Sequence, residues 1–519
     1  MSIPAPQAMT LGELLRGIDG AVVRGDANLP IRHVHDDSRQ IGEGGLFVAR
    51  QGHDADGRAF IGDALERGAV AVFTDAAAEV PPGVTRVSVD DPGAWLSELA
   101  ERSWGRPSRR LKLIGVTGTN GKTTTAFMVR HLLNATGGRC GMITTIEADA
   151  GNSDAQPTDL TTPGACEVTE LLAAMVANGC DHAVMEVSSH ALDQGRVAAL
   201  DFAAAVFTNL SGDHLDYHRT MEAYAAAKAK LFDLLGADGV GLFNCDDAHA
   251  RRMMSHCAGR AVEFSGQGNV DAQYVGKAAC MTAEFTGIDM LLPAGRLCVR
   301  SPLVGLYNVA NLMGALAAVM GLGVDVRDAI DAVGTMRPVP GRLERVTAAE
   351  APFTVLVDYA HTDDALRNVL GALRPLTPDG SALRVLFGCG GDRDDSKRPR
   401  MAAAACELAD QVVITSDNPR QEPPEAIITQ IETGVPTGHR DRVSTITDRR
   451  EAIDRIIATA RAGDIVLLAG KGHEDYQIVG TDKRPFDDRR VAAEVLESRG
   501  IASMNRRKAD EQTRDLTPG

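Results

Sequence analysis

Leu111-Lys-Leu-Ile-Gly-Val-Thr-Gly-Thr-Asn-Gly-Lys-Thr-Thr-Thr125 decides how the rest of the chain is read. Its apolar start reads as a buried strand, and Gly118 and Gly121 mark a turn. Lys122 and three threonines follow, and a helical pattern begins at Ala126. Glycines let backbone N–H groups approach phosphate oxygens, and a helix N-terminus adds a favourable dipole there. In such a loop Lys122 meets the β- and γ-phosphates and the Thr123 hydroxyl ligates Mg²⁺. The strict phosphate-loop pattern asks for glycine at position 116, which is valine here. The strand–loop–helix context supports the assignment in spite of that; the alternative is a Gly-Lys-Thr turn with no ligand.

Composition narrows the partners. A chain of 519 residues has length for about three domains. Hydrophobic residues make up 44%, enough to bury several cores. Aromatics are only 4%, against extended base-stacking platforms. The net charge of −16 argues against broad binding to nucleic acid or anionic membrane. No apolar run is long enough to span a bilayer, and Met1 to Leu11 has no signal-peptide pattern. Nine dispersed cysteines without CxxC spacing suggest reduced thiols, so a cytoplasmic location is expected.

The first segment, 1–107, reads as a small α/β domain. Leu46–Ala49 and Ala69–Thr74 are its strands, with a helix over Phe60–Arg67 between them. Ser38 and the loop His53-Asp54-Ala55 could bind a polar ligand or be ordinary turns. The linker Trp104-Gly-Arg-Pro-Ser-Arg-Arg110 leads into a second domain, 108–339. Strands are expected there at Met142–Ile146, Ala183–Val187, Ala203–Phe207 and Val240–Phe243, forming a largely parallel sheet. Ligands on such sheets bind at the carboxyl ends of strands. Glu186-Val-Ser-Ser-His190 and Thr208-Asn-Leu-Ser-Gly-Asp-His-Leu-Asp-Tyr-His218 lie at those ends, as does the phosphate loop.

Glu186 fits a Mg²⁺ ligand or a water-orienting carboxylate, but also a solvated residue or helix cap. His214 fits a second metal ligand or a structural histidine. On the helix expected over Met221–Leu235, Lys228 shares an apolar face with Tyr224, Leu231 and Leu235. A lysine beside a metal could become an anionic carbamate; the pattern alone favours a packed stem with its ammonium reaching water. Residues 260–300 alternate weakly and suggest a peripheral antiparallel hairpin region, with Tyr274–Val275, Ala283–Phe285 and Leu297–Val299 as strands. A helix follows over Gly305–Val319, whose Asn308 and Asn311 could face an adenine or serve capping and packing.

Pro338-Val-Pro-Gly-Arg-Leu-Glu344 opens a third domain, 340–498. Strands at Thr354–Asp358, Arg384–Phe387, Val412–Thr415 and Ile465–Ala469 predict a second doubly wound sheet. Its strand ends carry Gly388-Cys-Gly-Gly-Asp-Arg-Asp394, Ser416-Asp-Asn-Pro-Arg420 and Gly470-Lys-Gly-His-Glu-Asp-Tyr476. The tail 499–519 is polar and expected to fray.

Five motifs in order now carry a family resemblance: Thr117-Gly-Thr-Asn-Gly-Lys-Thr-Thr124, Glu186-Val-Ser-Ser-His190, Asp213-His-Leu-Asp216, Asp358-Tyr-Ala-His-Thr362 and Asp417-Asn-Pro-Arg420. Over roughly residues 30–490 the chain resembles the Mur ligases of peptidoglycan synthesis. It is most similar to members that add meso-diaminopimelate to UDP-N-acetylmuramoyl-L-alanyl-D-glutamate. The resemblance implies a UDP-binding domain, a central ATPase and a carboxyl-terminal amino-acid-binding domain, ATP as co-substrate, Mg²⁺, and a monomer. It also implies the chemistry: ATP phosphorylates the D-glutamate γ-carboxylate, the amine attacks the acyl phosphate, and a tetrahedral intermediate expels phosphate.

The family pattern assigns ATP to Gly118, Thr119, Asn120, Gly121, Lys122, Thr123 and Thr124, with Asn311, Arg342 and Asp358. It assigns the uridine nucleotide to Ser38, His53, Asp54 and Ala55, and the muramoyl-dipeptide to Thr161, Thr162, Ser188, Gln194 and Arg196. Thr123, Glu186, His214 and Lys228 match metal ligands, Lys228 as the carbamylated lysine. For Lys228 the resemblance thus implies the carbamate, where the apolar pattern by itself favours a packed stem. Lys122, Glu186, His214 and Lys228 are thereby the expected catalytic set. Arg393, Asp417, Asn418, Pro419, Arg420, Gly470 and Glu474 match the diaminopimelate pocket. Arg420 suits the distal carboxylate, which lysine lacks, and Glu474 the distal ammonium. Leu160 stands where some members have asparagine, and Asp36 replaces an apolar residue near the uridine site. The rival readings are a lysine-adding ligase, a folylpolyglutamate-type synthetase and an inactive ATP-binding regulator. Asp-Asn-Pro-Arg opposes the first, the uridine-type domain the second, and the joint presence of Lys122, Glu186, His214 and Lys228 the third.

Overall fold

In a computed structural model of the protein, residues 8–504 are described except 53, 54, 153 and 283. Three sheets carry the architecture. The first has five strands in the order Val22–Arg24, Thr85–Ser88, Ala69–Thr74, Gly45–Val48, His33–His35. All its pairs are parallel except the first.

The second sheet has eleven strands. Its parallel centre runs Cys140–Ile143, His182–Glu186, Lys112–Thr117, Phe202–Phe207, Leu235–Asn244, Arg260–Ser265, Tyr274–Met281. The strand Lys112–Thr117 lies in the middle, and its last five residues are buried, as a strand covered by helices on both faces must be. Ile114 and Val116 face one core, with Val129 and Leu132 of the helix Lys122–Ala135. Leu113 faces the other, with Phe202, Phe207, Leu231 and Phe243. Each such buried side chain is worth roughly 1.5–3 kcal/mol relative to exposure.

The expected antiparallel region within residues 260–300 is present at the sheet's edge, where Tyr274–Met281, Thr286–Leu292 and Gly295–Ser301 pair antiparallel; unexpected are the strand Arg260–Ser265 and the parallel pairing that joins it and Tyr274–Met281 to the central sheet. Of the expected strand Ala283–Phe285, Ala283 lies outside the described residues, and Glu284 and Phe285 lead into Thr286–Leu292. The helix read to Leu235 ends at Asp233, and Leu235 starts the next strand.

The third sheet has six strands in the order Glu344–Arg345, Thr354–Asp358, Ile465–Ala469, Leu383–Phe387, Gln411–Ile414, Val443–Thr445; only the first pairs antiparallel. A separate hairpin, Tyr476–Val479 with Asp482–Pro485, stands beyond its carboxyl edge. Past the helix Asp488–Ser498 the chain packs back: Met504 N–H donates to Val346 O, and Ser503 is buried. Residues 499–504 therefore do not fray.

Candidate active site

The phosphate loop is shaped by two glycines in left-handed conformations, φ +148° at Gly118 and +87° at Gly121. A Cβ at Gly118 would collide with the Thr208 hydroxyl, and one at Gly121 with the Asn311 amide. The loop thus rests on the next strand end and on the helix Leu306–Gly321. Thr119, Thr123 and Thr124 are buried where the helix begins.

Two lysines meet at this loop. Lys122 Nζ curls back to donate to Gly118 O at 2.9 Å and Thr119 O at 2.8 Å. Lys228 Nζ donates to the same Gly118 O at 2.8 Å and lies 4.5 Å from the centre of the Tyr224 ring. Lys228 is 1% exposed, so its ammonium does not reach water. Among the described residues no carboxylate pairs with either lysine. Burial lowers the pKa of both, and the Lys122 charge drives that of Lys228 further down, well below its ordinary value.

Oxygen and nitrogen donors surround them. Glu186, buried at its strand end, accepts from Thr145 N–H at 2.9 Å and from the Thr145 hydroxyl at 3.3 Å. His214 has φ +55° and is 46% exposed at its side chain; desolvation still pushes its pKa down to about 4, against the pull of Asp213 at 3.5 Å. A neutral imidazole is the form that can ligate a metal. Thr123, Glu186 and His214 line one cavity and offer hydroxyl, carboxylate and imidazole donors, types that fit Mg²⁺, whereas an ionised Lys228 ammonium does not.

The third domain closes this crevice. Arg342 Nη2 donates to the Thr123 hydroxyl at 3.0 Å, and its guanidinium lies 4.6 Å from the centre of the Tyr359 ring. Asp364, in the first turn of helix Asp363–Leu373, accepts from Asn120 at 3.0 Å and from Ser211 at 2.9 Å. The resulting cavity, about 850 Å³, is lined by Lys122, Thr123, Glu186, His214, Asn311, Arg342 and Asp358. Asp358 accepts from Leu343 N–H and Ala360 N–H, both under 3 Å, so it also fixes the interdomain linker. Asn308 bonds Val304 O and Asn311, a packing role.

A second cavity of about 980 Å³ lies between the first and central domains, lined by Ser38, Ala55, Arg50, Gln194 and Arg196. His53 and Asp54 lie outside the described residues. Asp36 is paired with Arg50 through two hydrogen bonds of 2.9 and 2.7 Å, which accounts for a charged residue at that position. Arg196 donates to Thr162 O and to Gln194, the Thr162 hydroxyl donates to Glu186 O, and Ser188 N–H donates to Thr162. The Thr161 hydroxyl is 3.0 Å from that of Thr145. This chain of contacts links the second cavity to Glu186. Leu160 is 49% exposed at the same loop.

The remaining predicted residues gather at the carboxyl ends of the third sheet. Asn418 donates to Glu474 at 2.8 Å, Arg420 donates to Gly391 O at 2.8 Å, and Gly470 (φ +111°) lies against the Asp417 carboxylate. Pro419 is buried in the same loop, and Arg393 is exposed beside Gly390. Burial and Asp417 raise the Glu474 pKa, whereas Lys471 and Arg449 overcome burial to hold Asp417 low. Sequence reasoning gave no role to Lys471, Asp364 or Arg50. Lys471 stands inside the Gly470–Tyr476 motif, but Asn418, one of the partners that define it, lies more than fifty residues away.

The fold and this phosphate loop define the class of phosphate-loop nucleotide-binding α/β proteins. The family model described as the Mur ligase middle domain matches residues 116–319, the glutamate ligase domain 341–472, and the Mur ligase family catalytic domain 30–104. The chain belongs to the Mur ligase family. It is 44% identical over 501 residues to the UDP-N-acetylmuramoyl-L-alanyl-D-glutamate–2,6-diaminopimelate ligase of Synechococcus sp. (strain WH7803), covering 94% of this chain and 99% of that one. It is 45% identical over 504 residues to the enzyme of that name from Parasynechococcus marenigrum, covering 94% and 99%. A solved structure of a ligase of that name superposes with a TM-score of 0.68 at 33% identity, covering 96% of this chain and 100% of that one. Among the described residues no helix is long and apolar enough to cross a membrane.

Proposed function

We propose that the chain joins meso-diaminopimelate to UDP-N-acetylmuramoyl-L-alanyl-D-glutamate with hydrolysis of ATP to ADP and phosphate, as a step in making the peptidoglycan precursor. The observation that carries the reading is the single crevice in which Lys122, Glu186 and the third-domain Arg342 converge. Residues 1–107 hold the uridine nucleotide, 108–339 the ATP, and 340–498 the amino acid.

A carboxylate resists an amine because its leaving group would be oxide. Phosphorylation supplies a leaving group, so the protein's work is positioning and neutralising charge. The γ-carboxylate of D-glutamate, led in along Arg196 and Thr162, attacks the γ-phosphorus while Lys122 and the loop N–H groups hold the phosphates; the bond from the γ-phosphorus to the β–γ bridging oxygen breaks, ADP leaves, and an acyl phosphate remains. The amine held by the third domain then attacks the acyl carbon, and phosphate leaves. Mg²⁺ supplies further positive charge at the phosphates when bound; Thr123, Glu186, His214 and Lys228 would hold it.

Lys228 fits that set as a carbamate. Its neutral Nζ lone pair attacks carbon dioxide, the N–C bond forms, one C=O electron pair moves to oxygen, and the nitrogen loses a proton. The proton goes to solvent, and the product is an anion that attracts the Lys122 ammonium.

The test is phosphate release from ATP. Release is expected only with the UDP-dipeptide and diaminopimelate both present, and at least about 100-fold slower with lysine. Equal turnover with lysine would remove the specificity claim, and none with either amine would favour an inactive regulator.

A further inference from the structure

Lys471 is fully buried, yet its ammonium is surrounded by acceptors. It donates to Glu474 Oε2 at 3.1 Å, Asn418 Oδ1 at 3.1 Å and Tyr476 O at 2.6 Å, and lies 3.3 Å from Asp417 Oδ1. Three N–H bonds thus meet three acceptors, with a second carboxylate alongside. Asn418 in turn accepts from Ile478 N–H at 3.0 Å.

Tyr476 is also the first residue of the hairpin, so the contact to its carbonyl fixes where that hairpin starts. The hairpin grips the Asp417–Arg420 loop: Arg420 N–H donates to Ile478 O at 3.1 Å, Gly480 N–H to Arg420 O at 2.8 Å, and the Gln477 amide to Asp417 O at 2.6 Å. Arg420 is held at φ +52°, a conformation unfavourable for a side chain without local restraint. One ammonium therefore fixes Glu474 and Asn418 directly and Arg420 through the hairpin.

We propose that Lys471 is a positioning residue for the amine-donating amino acid, holding Glu474, Asn418 and Arg420 in the geometry that receives its distal ammonium and carboxylate. The inference rests on the proposed ligase function. Lys471 also sets the charge of the pocket. Lys471 is the cation in direct contact with both Asp417 and Glu474; without it their remaining cationic neighbour among the described residues is Arg449, which is already paired with Asp488.

The wild-type enzyme is first assayed for diaminopimelate-dependent phosphate release; its failure there would sink the function and not this inference specifically. With an active wild type, Lys471→Met and Lys471→Arg are compared by initial rates. For Lys471→Met the KM for diaminopimelate is expected to rise about 30-fold or more, with the KM values for ATP and the UDP-dipeptide within about two-fold. Lys471→Arg keeps the charge but changes the contacts, and should show a smaller rise in the same constant. If Lys471→Met does not fold, the Arg variant decides alone. An unchanged diaminopimelate KM in a folded variant, or an equal rise in all three constants, overturns the proposal.

Discussion

Lys228 and Lys471 are both excluded from water, and their surroundings make them opposites. Lys228 has one carbonyl oxygen, shares it with a second lysine, and has no carboxylate partner among the described residues. Lys471 has two carboxylates within 3.3 Å and every N–H bond satisfied. Taking an ammonium out of water costs several kcal/mol unless charge and hydrogen bonds compensate. The central domain leaves that cost unmet, and burial with the Lys122 charge drives the Lys228 pKa down. The third domain meets it, and so obtains a fixed cation. Burial alone thus says little about a lysine's task; the acceptor count around the nitrogen says more.

The sharpest way to break the contrast is to remove the reactive lysine. Lys228→Ala should lower kcat by about 1,000-fold or more, because under the proposed carbamate the site would lose an anion that balances Lys122 and helps hold the metal. Small carboxylates such as acetate should restore part of the rate by filling the space left. Mass spectrometry of the intact wild type in bicarbonate, under conditions that preserve carbamates, should find the added carbon dioxide on the peptide containing Lys228. Full activity of the alanine variant would show that Lys228 is a packing residue after all.

The cationic side of the comparison is tested at Arg420. Its guanidinium has a single carbonyl partner, Gly391 O, and no carboxylate among the described residues. Arg420→Ala should reduce kcat/KM for diaminopimelate by about 100-fold and leave that for lysine within a few-fold, since only diaminopimelate carries the distal carboxylate. Arg420→Lys should rescue little, because a point charge does not replace the planar fork. Parallel losses on both amines would show that Arg420 shapes the loop and does not read the substrate.

The two lysines also mark what a sequence can convey. Periodicity placed Lys228 on an apolar face with Tyr224, and the structure buries both. What it could not convey was that Lys122, far away in the chain, folds back onto the same carbonyl. Strands Ala69–Thr74, Thr354–Asp358 and Ile465–Ala469 were legible to the residue because they are continuous apolar runs between turn signals. Val443–Thr445 was not, being three residues of edge strand exposed at Ser444 and Thr445. The hairpin after Lys471 was hidden likewise: Asp482–Pro485 is exposed throughout, with no apolar alternation to reveal it. The motifs therefore announced the chemistry, while the pairing of buried charges required coordinates.

A third buried charge, Glu101, gives the smallest effect and tests the rule outside the reaction. It lies in the helix Leu96–Ser103, fully buried at the junction of the first two domains. Oε2 accepts from the Ser108 hydroxyl at 2.7 Å, and Oε1 has no hydrogen-bond partner. Burial raises its pKa from the ordinary 4.5 to about 7, so it resembles Lys228 in lacking a counterion, with no chemistry to use it. Between pH 4.5 and about 7 the folded protein then holds a proton that the unfolded chain releases. Stability falls as pH rises through that window and levels off above it, by on the order of 1–3 kcal/mol. Glu101→Gln keeps the shape without the charge. At pH 8 it should unfold a few degrees higher than wild type, with the difference vanishing near pH 5, and with kcat and all three KM values unchanged. A difference in unfolding temperature that does not depend on pH would mean that Glu101 is neutralised by a partner, as Lys471 is, and would move it to the other side of the comparison.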